Sequence, residues 1–165
     1  MLKRTSSQKG SKRGPSGSAL EAGVRLLAMR DHSRAELKRK LSRRGHSDEA
    51  LEAALRQVAE SYGQDDLKFA RSYVRMRAPT RGPLAISAEL AARGVDRQKI
   101  EIALEAYPEP DQLRNAVRIA VRMYGRLPGG ESDLAGRIGA RLARRGFSTS
   151  IVRAACRAAL DDPND

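Results

Sequence analysis

The stretch Leu37–Leu55, LKRKLSRRGHSDEALEAAL, is met twice more along the chain, as ISAELAARGVDRQKIEIAL over Ile86–Leu104 and as IGARLARRGFSTSIVRAAC over Ile138–Cys156. Leu37, Leu41, Gly45, Leu51 and Leu55 become Ile86, Leu90, Gly94, Ile100 and Leu104 at a constant step of 49 residues. At a step of 52 they become Ile138, Leu142, Gly146, Val152 and Cys156. Apolar and glycine positions held in register twice define tandem copies of one unit, so the repeat decides the fold. Each glycine follows an arginine (Arg44, Arg93, Arg145) and stands where a left-handed residue can close a helix without steric strain.

Working outward, each unit reads as three helices. Ser33 and Glu36 form a Ser-x-x-Glu capping box that opens the helix ending at Gly45. Beyond the glycines, Ser47, Asp96 and Ser148 are N-caps of the next helix. The pairs His46 and Leu51, Val95 and Ile100, and Phe147 and Val152 have the spacing of hydrophobic staples. Upstream, Leu20, Val24 and Leu27, then Phe69, Tyr73 and Met76, then Val117, Val121 and Tyr124 fall at helical spacing and mark the first helix of each unit. Strand-like alternation is absent and aromatics make up 4% of the chain. The expected fold is all-α: three tandem three-helix repeats in an elongated, curved, solenoid-like body. The expected divisions are a disordered basic arm over 1–18, repeats over 19–64, 65–108 and 109–160, and a frayed acidic tail over 161–165. The extra length of the third copy falls in Gly125–Asp133, around the breaker cluster Leu127-Pro128-Gly129-Gly130.

The chain has 165 residues, with 32 Lys and Arg against 20 Asp and Glu, a net charge of +12. Such a balance points to a polyanion or a nucleoprotein as partner. No run of about 18 uncharged apolar residues offers a membrane span, and the N-terminus lacks the apolar segment of a secretory signal, so the cytosol is expected and a membrane is not. One cysteine excludes an internal disulfide framework, and Cys156 occupies a slot held elsewhere by leucine, which reads as a small buried side chain. His32 and His46 each lack a second ligand at metal spacing. Asp65 and Asp66 stand at a helix start, where acids are favoured by the helix dipole. No phosphate loop or nucleophile in a recognisable frame is present, so neither an enzyme nor a cofactor or small-molecule substrate is expected.

The candidate residues are basic. Arg114, Arg118, Arg122 and Arg126 lie four apart on one helix, a stripe whose mild self-repulsion a polyanion would offset, as would nearby acids or solvent. Lys38, Arg39, Lys40, Arg43 and Arg44 stand on the middle helix of the first unit, and Arg141, Arg144 and Arg145 on that of the third. The second unit has Arg93 there and Arg71 and Arg75 on its first helix. Stacked repeats would bring equivalent side chains up at intervals along one face, a geometry suited to a long periodic partner.

From about Leu20 to Leu160 the sequence resembles the RecX regulatory protein family. The resemblance is carried by Ser33-x-x-Glu36-Leu37-x3-Leu41-x3-Gly45, by Asp65-Asp66-x2-Phe69-Ala70-x2-Tyr73-Val74, and by Gly82-x3-Ile86-x2-Glu89-Leu90-x2-Arg93-Gly94-Val95. It implies three-helix repeats that bind the RecA recombinase filament on single-stranded DNA, lie in its groove, and restrain strand exchange and co-protease activity. The rival reading from the residues is a free-standing DNA-binding protein with helix-turn-helix-like repeats. Against sequence readout, the third helix of the first unit opens with the acidic Ser47-Asp48-Glu49.

Overall fold

The computed structural model describes residues 17–126 and 131–161; the expected arm over 1–18 apart from Gly17 and Ser18, the cluster Leu127–Gly130 and the expected tail over 161–165 apart from Asp161 lie outside them. Among the described residues there are nine helices and no strand. They are α1 (Ala19–Met29), α2 (Arg34–Ser42), α3 (Asp48–Tyr62), α4 (Asp66–Arg77), α5 (Pro83–Ala92), α6 (Arg97–Leu104), α7 (Glu109–Tyr124), α8 (Glu131–Arg144) and α9 (Thr149–Asp161).

Local chemistry starts and stops these helices where the repeat predicts. The Ser33 hydroxyl accepts from the Glu36 N–H while the Glu36 carboxylate takes the Ser33 N–H, a closed capping box. Ser47 caps α3, Asp65 caps α4 and Asp96 caps α6. Gly45, Gly94 and Gly146 sit at φ of +85°, +77° and +84°, where a side chain would strain the backbone. Ser18, expected as the last residue of the arm, instead forms a capping box with Glu21 and opens α1, because its hydroxyl and the Glu21 carboxylate satisfy each other's backbone N–H.

Within each unit the first and third helices pack together, α1 on α3, α4 on α6 and α7 on α9, with the middle helix completing the core. Three separate apolar clusters result. Leu26, Leu37, Leu41, Leu51 and Leu55 belong to the first, Phe69, Val74, Ile86, Leu90 and Tyr107 to the second, and Ile138, Leu142, Phe147, Ile151 and Ala155 to the third. The middle-helix positions keep register in all three units. On the third helices one row keeps register as well, with Ala54, Ala103 and Ala155 all buried, but the next position does not: Leu55 is buried, whereas Leu104 and Cys156 lie half-buried at the cluster edge. The buried slot expected for Cys156 is therefore a rim position; its thiol points to the Ala135 carbonyl at 3.8 Å, and partial burial raises its pKa.

The units meet through one repeated device. The turn after the second and after the third middle helix docks on the first turn of the middle helix one unit earlier. At the first joint the Ser33 hydroxyl donates to the Arg93 carbonyl (2.6 Å), Asp66 accepts the Arg34 N–H (2.8 Å), and Arg93 pairs with Glu36. A Cβ on Gly94 would stand 2.4 Å from the Ala35 Cβ. At the second joint Gly82 and Leu84 donate their N–H groups to the Arg145 and Gly146 carbonyls (2.8 and 3.2 Å), and Arg145 donates to the Thr80 carbonyl (3.1 Å). A Cβ on Gly146 would stand 2.2 Å from the Ala85 nitrogen. Such approaches are open only to glycine.

Candidate nucleic-acid interface

The basic residues singled out by spacing divide according to whether a carboxylate has already claimed them. Lys38 and Arg34 both reach Glu52 (2.6 and 2.8 Å), and the Lys38 hydrogen bond leads in holding the Glu52 carboxyl below its ordinary value. Arg93 is taken up by the first joint: it lies over the Tyr73 ring at 4.8 Å and binds Glu36. Arg114 pairs with Asp111 one turn earlier. Arg75 donates to the Ser72 hydroxyl (3.0 Å), and Arg71 beside it is exposed. Arg77 and Arg81 share Glu89, whose carboxyl is lowered first by the hydrogen bond from Arg77.

Besides Arg71 and Arg75, two groups remain without a carboxylate partner among the described residues. Arg39, Lys40, Arg43 and Arg44 form the first, at the C-terminal end of α2, where cations also suit the helix dipole. The second is a cleft of about 280 Å³ between the second and third units. Arg118 and Arg122 come from α7 and Arg126 from just beyond its end, Arg141 from α8 and Arg145 from the turn after it, and Pro79 and Thr80 complete the rim above an apolar floor of Ile119 and Met123. Arg118 is steadied by the Pro79 carbonyl and the Asn115 side chain (both 3.1 Å), and Arg145 by the Thr80 carbonyl. Arg144, on the same helix, is exposed.

Five guanidinium groups around one opening repel one another unless an anion enters between them. Their planar forks suit phosphate oxygens taken two at a time. The apolar floor also lets a base or sugar lie against it. A larger hollow of about 430 Å³ at the first joint, lined by Phe69, Tyr73 and Met76, is a weaker candidate for an anion because Glu36 holds both of its arginines, Arg30 and Arg93.

The stripe on α7 was legible from spacing, but its convergence with α8 was not. Residues 118 and 141 share a cleft only because α8 packs back on α7. Pro79 and Thr80 carried no signal. Glu36, read as a cap, is also the acceptor for two arginines, and its partner Arg93 is 57 residues away. Among the described residues no cluster of His, Cys, Asp or Glu could hold a metal ion, and no helix is long and apolar enough to cross a membrane.

Comparison with known proteins gives one answer. Residues 19–57 match the model of the first three-helix domain of RecX, and residues 65–104 that of the second. The chain is 43% identical over 149 residues to a regulatory protein RecX of Stenotrophomonas maltophilia, covering 88% of each chain. It is 39% identical over 146 residues to one of Xanthomonas axonopodis pv. citri, covering 87% of this chain and 88% of that one. In fold it is similar to crystal structures of RecX from Lactobacillus salivarius (TM-score 0.77, 23% identity, 85% of this chain and 93% of that one) and of another regulatory protein RecX (0.75, 24%, 82% and 69%).

Proposed function

The chain belongs to the RecX regulatory protein family, and on that premise we propose that it binds the RecA filament on single-stranded DNA, occupies its groove, blocks growth, and so restrains recombinase and co-protease activity. The observation that carries this reading is the cleft of five arginines, Arg118, Arg122, Arg126, Arg141 and Arg145, with no carboxylate partner among the described residues. Its charge is available to the phosphates of a strand, and the contacts are sequence-independent because they address the backbone. Arg39, Lys40, Arg43 and Arg44 on the first unit and Arg71 and Arg75 on the second add further cations without a carboxylate partner among the described residues. A partner that repeats along an axis offers a separate anionic contact to each set.

The mechanism is occupancy. No bond is made or broken, and the relatives are named as regulators rather than as enzymes. The test compares binding to bare and to RecA-coated single-stranded DNA across a range of salt. A modulator prefers the coated strand. Equal affinity for both, with a steep salt slope on each, would overturn the reading in favour of a free-standing DNA-binding protein.

A further inference from the structure

The docking turn exists in three copies, and two are engaged. The Gly94 turn receives the start of α2 and the Gly146 turn receives the start of α5. The first unit carries the same turn, Arg44-Gly45-His46, with Gly45 at φ +85°, and nothing lies within 4 Å of a Cβ built on it. Arg44 is exposed and has no carboxylate partner among the described residues, whereas the arginines matching it reach Glu36 and the Thr80 carbonyl of the preceding unit.

We infer that the Arg44-Gly45-His46 turn is a docking surface for the first turn of a helix on a partner protein, and, resting on the reading above, that this partner is a protomer of the recombinase filament. The chemistry of the occupant is set by the two joints already filled. It is a helix start capped by Ser or Gly, as at Ser33 and Gly82, with Ala two or three residues later, as at Ala35 and Ala85. A hydroxyl or N–H of that start is donated to the turn carbonyls, and an acceptor stands within reach of the Arg44 guanidinium. In a second copy one start of this kind is free, that of α3, with Ser47 as its cap and Ala50 three residues later, and its engagement is the self-association outcome of the test below. The starts of α2 and α5 are taken, and the third-unit residues in register with Gly82 and Ala85 are Leu134 and Arg137, inside a helix that begins at Glu131.

Gly45→Asn tests this, because asparagine tolerates the left-handed backbone while its Cβ blocks backbone-to-backbone approach. The variant is expected to bind bare single-stranded DNA as the parent does and to lose about tenfold in affinity for the RecA-coated strand, as overpacking at a close joint implies. Hydrogen exchange on the unmodified protein gives a second reading that does not depend on the variant folding. Amides of residues 43–47 should slow more on the coated strand than on bare DNA. Unchanged affinity of a folded Gly45→Asn for the coated strand, or no slowing at 43–47 beyond that on bare DNA while the parent binds it, would overturn the docking surface alone. Failure of the parent to prefer the coated strand would overturn the functional reading and the named partner together. Concentration-dependent self-association abolished by Gly45→Asn would assign the surface to a second copy and overturn the inference.

Discussion

The three Arg-Gly pairs are alike in sequence and differ in surroundings, so the same substitution has three costs. Gly45→Ala meets only the left-handed backbone and should lose about 1–2 kcal/mol. Gly146→Ala meets that strain and the Ala85 nitrogen at 2.2 Å, adding roughly 1–3 kcal/mol from overpacking. Urea unfolding of the two variants separates the turn from the joint. A neutral substitution would be equally uneven: Arg93→Gln leaves the buried Glu36 with Arg30 as its one remaining arginine, while Arg44→Gln takes a partner from nothing in the described chain. The sequence reading placed each arginine beside its glycine and the helix-ending role followed from that alone. Which of them is consumed by an acid was invisible, because the acid lies in another unit.

At the scale of the element, caps carry different weights for the same reason. Ser47 only caps α3, so Ser47→Ala should cost about 1 kcal/mol. Ser33 caps α2 and also donates its hydroxyl to the Arg93 carbonyl at 2.6 Å, so Ser33→Ala should cost about 1 kcal/mol more for the lost hydrogen bond. Thermal unfolding of both variants checks the difference. Helix positions, caps and closing glycines were legible because their causes are local: a hydroxyl three residues from an amide, a glycine after the last turn. The third-helix register was less so. Leu104 and Cys156 match Leu55 in spacing, but α6 has 8 residues against 15 in α3, and Tyr107 beyond its end turns inward to donate to the Ala78 and Arg81 carbonyls. The row of Ala54, Ala103 and Ala155 still faces inward in all three units, and only the position beside it moves to the rim.

For the whole molecule, the first joint should loosen in acid. His32 is buried, its Nδ1–H donates to the Arg30 carbonyl, and its Nε2 has no protein partner among the described residues, so burial lowers its pKa from the ordinary 6.5. Because the unfolded chain binds that proton more readily, the stability is complete above about 6.5 and declines as pH falls below it. Glu36 acts further down. Burial pushes its carboxyl up, but the hydrogen bond and charge of Arg30 and the charge of Arg93 outweigh this and leave it below the ordinary 4.5. Its contribution is present above 4.5 and is lost as pH drops through the lowered value. His32→Gln should flatten the first decline and leave the second, as measured by urea midpoints from pH 7 to pH 4. The basic cleft gives a prediction of its own: replacing Arg122 and Arg141 together by Gln should leave the thermal midpoint nearly unaltered and reduce the salt slope of DNA binding by about two.

The three apolar clusters are closed within their units, and what crosses between units is mainly carbonyls, N–H groups and an ion pair. Bending at a joint therefore uncovers little oily surface, and the heat capacity of that motion is small beside the unfolding of any one unit. Warming or cooling will barely change the angle between neighbours, whereas added ions will. The molecule keeps its pitch across a growth range of temperatures and yields it to electrolyte.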